Sequence, residues 1–266
     1  MGFVKTAEEI KRIQEAVSAV EFNGGEYLGV EFLSDAGFVE SVLPPGLEPL
    51  AAPKMSAMVC RFKGGSCGPF NGGAIYVAAR RGKIEGNYTL AMYMDSDNAI
   101  LFGRDIFGEP KKLAAVGWND SGERATGSID RGGVQLIKID ARLREGDTLT
   151  GAVGQDFNYK VSLAPDGIGL ASDPVLTLAR LEMNVSRRRV GKASLVLHGT
   201  THDPLDEIPI REILDAQLIE ADFRASARAL ATVPAAEFLP YAYGRLPDWS
   251  VFFEEWRSGK GRSHVA

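Results

Sequence analysis

Residues 26–199 resolve into short apolar runs: EYLGVEFL, KMSAMVCRF, GAIYVAAR, NYTLAMYM, LAAVGW, RATGSI, VQLIKIDARL, NYKVSLA, LARLEMNVS and ASLVLHG. Runs of this length, bounded by glycine and polar turns, read as strands. In VQLIKIDARL, Ile137, Ile139, Ala141 and Leu143 alternate with Lys138, Asp140 and Arg142, so one face is buried and the other wet. No regular alternation of strand and helix units develops, which argues against a parallel sheet built on crossover helices. The expectation is an α+β chain, predominantly antiparallel β, whose curved sheet forms a cone or barrel with a few flanking helices.

The segments around this β region are less uniform. In TAEEIKRIQEAVSAV (6–20), Thr6 and Glu9 form a capping box and Ile10, Ile13, Val17 and Val20 share a face. That pattern predicts an N-terminal helix within residues 1–25, packed on the body. Arg187, Arg188 and Arg189 read as a solvated turn before the strand ASLVLHG. Residues 224–266 differ in flavour, with an alanine-rich helical run and then FLPYAYGRLPDWSVFFEEW. They read as an extension that packs against the main domain, 26–223, or against a neighbouring subunit. Glycine clusters at GGSCGPFNGG (64–73) and RGG (131–133) supply turns and close backbone approach.

Composition narrows the function classes. The 266 residues carry 35 Asp+Glu against 30 Lys+Arg, a net charge of −5, and no basic tail interleaved with aromatics. Nucleic acid is a poor partner for such a chain, and a small molecule a better one. No apolar run reaches the roughly 18–20 residues that span a bilayer, so no membrane association is expected and the cytoplasm is the default. Cys60 and Cys67 are the only cysteines, and His198 and His202 lack a third ligand, so no metal is implied. The acids of DSDN (95–98) read as a helix cap, and phosphate-binding glycine motifs are absent, so no cofactor is implied either.

The chemistry concentrates in DNAILFGRDIFGEPKKLA (97–114). Asp97 reads as an N-cap, Ile100, Leu101, Asp105 and Ile106 run at helical spacing, and Gly108 with Pro110 stops the helix. Lys111 and Lys112 therefore stand just past a helix end, at the mouth of a strand. One account is structural, since lysines there favour the negative end of the helix dipole. The other is chemical: two ammonium groups among Phe107, Leu113, Ala114 and Ala115 disfavour charge on at least one, and a neutral amine attacks carbonyls. Adjacent strand residues point to opposite faces, so the two side chains need not share a pocket.

That run resembles the signature of the acetoacetate decarboxylase family, in which a glycine, an arginine and an acidic residue precede a proline and two lysines. THDPLDEIPIREILDAQLIEAD (201–222) is similar to the family's closing segment, and EYLGVEFLSDAGFVESVLPPGLEPL (26–50) to its opening one. The resemblance implies that Lys111 is a Schiff-base nucleophile and Lys112 its modulator. Acetoacetate decarboxylase is itself the reference case of a lysine activated by desolvation or a cationic neighbour, so this mechanism comes with the resemblance. It further implies a lyase acting on a small oxo acid, most simply decarboxylating a 3-oxo acid, in a homo-oligomer. Alternatives are an aldolase-dehydratase acting on a 2-oxo acid such as pyruvate with an aldehyde, and a non-catalytic binder of an oxo acid.

The sequence departs from the family pattern at its polar helpers. Matched by eye, the family glutamate of the glycine–aromatic turn CGPFNGG falls on Gly72, beside Phe70. A second glutamate falls near Ala57, and a substrate-side arginine near Gly25. No Asp or Glu occurs from Pro49 to Ile84, so no shift of register restores the first. Gly72 and Gly73 are expected to leave room for a longer substrate, with Phe70 and Gly72 on its wall. Candidates for moving the proton are Glu109, two residues before Lys111, and Tyr241 or Tyr243 of the aromatic tail. Arg104 matches the signature and either orients a substrate carboxylate or pairs with Asp105 or another acid.

Overall fold

The computed structural model describes residues 2–147 and 149–246. The early strands are β1 (Val20–Leu33), β2 (Glu48–Pro49), β3 (Lys54–Phe62), β4 (Gly64–Gly65), β5 (Phe70–Arg81), β6 (Ile84–Met94) and β7 (Lys111–Leu113). The later ones are β8 (Ala115–Asp120), β9 (Arg124–Arg131), β10 (Val134–Glu145), β11 (Ala152–Lys160), β12 (Val175–Leu197) and β13 (Glu212–Thr232). Four α-helices accompany them among the described residues: α1 (Ala7–Ser18), α2 (Ala36–Val42), α3 (Asp97–Phe102) and α4 (Ala235–Tyr243). The expected class holds, a mostly antiparallel sheet with few helices.

Hydrogen bonding runs in the order β11-β6-β5-β3-β1-β13-β12, and β12 pairs back with β11. The path therefore closes on itself as a curved, uneven ring. Beyond the ring, the second half of β12 carries β10, β9 and β8 as a continuation of the same sheet. Strand alternation then sorts side chains between two interiors. On β3, Ala57 and Val59 join the main core with Leu28, Ile75 and Ile137, whereas Met58 and Cys60 join a second cluster with Phe70, Met92 and Met94. The ring strands are thus buried on both faces, and the second face encloses the candidate site.

Two segments differ from their sequence reading. The alanine-rich run is strand, not helix: β13 continues through Thr232, with Ala225, Ala227 and Ala229 paired to β12. Alanine favours a helix by propensity, but its period here is two, and pairing along the full length of β12 decides the outcome. Arg187–Arg189 are likewise no turn. They lie inside the 23-residue β12, where Arg189 is 2% exposed and donates to both carboxylate oxygens of Asp120. The neighbouring strands supply Asp120, Glu145 and Glu220 as counter-charges, which lets an arginine run continue a strand.

At the ends of the chain, α1 forms with its Thr6–Glu9 capping box but buries none of its residues, leaving Ile10 and Ile13 exposed. Ser96, one residue before Asp97, occupies the N-cap position of α3. The first part of the expected aromatic tail lies in α4, and from residue 247 the tail is outside the described residues.

Candidate active site

Helix α3 does not stop where α-helical spacing ends. It widens into a π-turn, Gly103–Phe107, closed by Gly108 at φ 81°, in the left-handed region that glycine reaches without steric cost. The Glu109 amide then donates to the Gly103 carbonyl at 3.0 Å, folding the chain back over the turn. Pro110 follows, and Lys111 opens β7, which pairs in parallel with Met92–Met94 of β6. Two arginines hold this bend from behind. Arg104 Nη1 donates to the Lys111 carbonyl at 3.0 Å, and Arg245 Nη2 donates to the Gly108 carbonyl. Burial lowers the pKa of both guanidinium groups, that of Arg245 to about 10.

The consequence is a lysine set on a glycine floor. A Cβ at Gly103 would lie 2.3 Å from Glu109 Oε2, 2.5 Å from Lys111 Cδ and 2.6 Å from Lys111 Nζ. Only a residue without a side chain permits that stacking. Lys111 is 7% exposed, its Nζ lies 2.8 Å from Glu109 Oε2, and it donates to the Ala99 carbonyl at 3.1 Å. The pair borders a cavity of about 220 Å³ lined by Phe22, Phe62, Phe70, Phe223, Met58 and Leu181, among others.

Lys112 is equally buried but faces the other way. Its Nζ donates to Asp203 Oδ1 at 2.8 Å and to the His202 carbonyl at 2.7 Å. Asp203 also accepts from Tyr93 Oη at 2.9 Å and Arg131 Nε at 3.1 Å. Lys112 lines a separate cavity of about 410 Å³, together with Tyr241 and Arg245. Strand alternation sends the two ammonium groups to opposite faces, and Lys112 is paired to a carboxylate.

The remaining sequence candidates divide in the same way. Glu109 and Phe70 line the Lys111 cavity, and Tyr241 does not. Tyr243 accepts from the Gly169 amide at 3.0 Å and donates to the Gly167 carbonyl at 3.2 Å, which ties it to a distant loop. Arg104 is spent on the backbone of Lys111 and is absent from the cavity wall. Gly72 leaves no free room, because a Cβ there would meet Met94 Sδ at 2.4 Å. At Gly25 the rings of Phe62 and Phe223 would each lie 2.7 Å from such an atom. Gly73 faces Ile129 in the main core. The space opened by these glycines is filled by apolar side chains.

One group was missed from sequence. Asp156 on β11 lines the Lys111 cavity and accepts from Asn87 Nδ2 at 3.3 Å. Burial raises its pKa to about 7, a shift the Asn87 hydrogen bond opposes and the charge of Glu109 adds to. Two residues along the same face, Asn158 is 1% exposed and its side-chain amide has no hydrogen-bond partner among the described residues. In QDFNYK the alternation sets Phe157 and Tyr159 against Asp156 and Asn158, and read alone it sends the polar pair to solvent. Ring closure turns that face inward.

Comparison with known proteins agrees with this geometry. The family model for acetoacetate decarboxylase matches residues 11–233. Acetoacetate decarboxylase 2 of Mesorhizobium japonicum is 27% identical over 256 residues, covering 94% of this chain and 91% of its own. The crystal structure of acetoacetate decarboxylase from Legionella pneumophila superposes with a TM-score of 0.73 at 21% identity, over 80% of this chain and 87% of that one. The enduracididine biosynthesis enzyme MppR, complexed with the condensation product of pyruvate and imidazole 4-carboxaldehyde, gives a TM-score of 0.66 at 15% identity, over 80% and 89%. With its ring of strands, its Gly-Glu-Pro-Lys-Lys bend and a family match over most of its length, this chain belongs to the acetoacetate decarboxylase family.

Proposed function

We propose that this protein is a Schiff-base lyase that decarboxylates a 3-oxo acid, with Lys111 as nucleophile and Glu109 as the group that carries its proton. The observation behind this reading is the Lys111–Glu109 contact of 2.8 Å on the wall of a mostly apolar cavity. Glu109 takes a proton from Lys111, and Nζ adds to the ketone carbon. A nitrogen–carbon bond forms, and the carbonyl oxygen departs as water, leaving an iminium. The bond to the carboxylate carbon then breaks. Its electron pair moves toward the iminium nitrogen to give an enamine as carbon dioxide leaves. The enamine carbon takes a proton, and water hydrolyses the iminium to release a ketone and restore the amine. Lys111 is the only cation on the described wall. The substrate carboxylate thus sits in surroundings that solvate it poorly, which favours its loss once the iminium can accept the electrons.

Lys112 has a structural part in this reading. It anchors β7 through Asp203, while Arg104 and Arg245 fix the bend, so Lys111 is held in one position. Borohydride reduction in the presence of a panel of 3-oxo and 2-oxo acids, followed by peptide mass spectrometry, tests the proposal. The expected result is an adduct on Lys111, absent from Lys111→Ala, with release of carbon dioxide. A new carbon–carbon bond in the product would assign the chain to aldol chemistry instead. No adduct with any acid would remove the catalytic reading and leave a binder.

A further inference from the structure

The Lys111 cavity has two polar poles, and the reaction proposed above uses only one. On the edge of β6, Lys111 of β7 pairs with Met92, whereas Asp156 of β11 pairs with Asn87. Those pairing positions lie five residues apart on β6, at most about 16 Å along the strand at ~3.3 Å per residue with a bulge between them, and Glu109 beside Lys111 lies close enough for its charge to act on Asp156. Both side chains border the same cavity. The rest of the wall is mostly apolar, with Phe22, Phe62, Phe223, Met58, Met92 and Leu181, and its other polar groups include Tyr27, Tyr76 and Gln217. Among the described residues, the titratable groups that interact with Asp156 are Tyr27, Tyr76 and Glu109, and none of these supplies a positive charge. Asn87 donates one hydrogen bond to it. A carboxyl group set into an apolar wall without a basic partner is costly to keep, and a ligand that brings a donor offsets that cost.

Resting on the Schiff-base reading for its reactive end, we propose that the substrate is an oxo acid extended by an apolar aryl or alkyl spacer that ends in a hydrogen-bond donor, a hydroxyl or an amine, bound by Asp156. The cavity volume agrees. About 220 Å³ exceeds the ~150 Å³ that holds a benzene ring in an apolar protein cavity, leaving space for the oxo-acid end. It also falls below the ~300 Å³ at which drug-sized ligands begin, which favours a compact spacer. Acetoacetate would leave the Asp156 pole and the phenylalanine wall unused.

The test is a series of 3-aryl-3-oxopropanoates bearing 4-methyl, 4-hydroxy or 4-aminomethyl groups. These three compare an apolar end, a neutral donor and a cationic donor of similar length. The expected result is a kcat/KM for at least one donor about ten- to a hundredfold above that of the methyl compound, the range for a hydrogen bond to a charged acceptor. In Asp156→Asn that ratio falls toward one. Binding of the matching 3-arylpropanoates, which lack the ketone, is measured beside it by calorimetry. The same donor preference in this second series, with no turnover of any oxo acid, supports the Asp156 subsite while overturning the Schiff-base reading. A methyl compound bound and turned over as well as the donors, or a preference that survives in Asp156→Asn, overturns the proposal. The ranking in the unmodified protein decides the matter alone if the variant does not fold.

Discussion

Replacing Asp156 by Asn should make this protein more stable, and only at higher pH. Burial raises the Asp156 pKa from an ordinary 3.8 to about 7, so between these values the folded chain holds a proton that the unfolded chain has released. Stability therefore falls as pH rises through this window, because the unfolded state binds fewer protons than the folded one. The cost is absent below the unfolded value, grows through the window and is complete above the folded value. At ~1.36 kcal/mol per pKa unit it amounts to about 4 kcal/mol, an upper limit because water entering the cavity would solvate the carboxylate. Asn removes the titration, keeps nearly the same shape and still reaches Asn87. Urea denaturation of both proteins at equal concentration, from pH 4.5 to 8.5, measures the difference. The expected stability gain is small at the acid end and levels off at roughly 2–4 kcal/mol above pH 7. A difference that stays flat across the range would refute the view that Asp156 is an unneutralised carboxyl group facing an apolar interior.

Further substitutions probe the bend and its supports. Gly103→Ala places a methyl group 2.6 Å from Lys111 Nζ, so the lysine must move while the fold persists. Borohydride trapping should slow by about a hundredfold, the cost of a misplacement near 1 Å, while circular dichroism is unchanged. Lys112→Ala leaves Asp203 without its 2.8 Å partner inside the protein. Because Arg131 and Tyr93 still hold Asp203, the expected loss in chemical denaturation is about 1–3 kcal/mol, below that of an unpaired buried charge, and the folded protein should retain the Lys111 adduct; loss of the adduct from protein of unchanged stability would contradict this division of roles. Gly72→Ala forces Cβ to within 2.4 Å of Met94 Sδ and 2.8 Å of the Tyr93 carbonyl. A destabilisation of about 1–3 kcal/mol should appear as a lower thermal midpoint, whereas a neutral outcome would mean that the wall at Gly72 has room to spare.

The strands and the position of the lysine pair were legible without coordinates because they depend on local pattern. Alternating apolar residues and glycine turns specify β structure, and a proline after a helix stop places two lysines at a strand mouth. The capping box at Thr6 and the end of the helix at Gly108 are equally local and appear as read. The errors arose where local preference competed with long-range pairing. RASARALAT has helical propensity, yet it forms strand because β12 runs beside it. Three successive arginines suggest solvent, yet they continue β12 because Glu145, Glu220 and Asp120 of other strands of the sheet meet Arg187 and Arg189 and Gln217 accepts from Arg188.

By itself, then, the order of residues determined the secondary elements, the family signature and the identity of the nucleophile candidate. Tertiary structure alone decided which face of each strand looks into which interior. Closing the ring through β11 and β12 turned Asp156 from an apparent solvent residue into a cavity group and gave Lys111 and Lys112 separate cavities on the two faces that alternation assigns them. It also filled the space at Gly25 and Gly72 with phenylalanine and methionine side chains. The physical reason is that alternation along a strand fixes two faces but does not say which is wet. Only the partner strands, distant in sequence, set whether a polar face meets water or an enclosed apolar site.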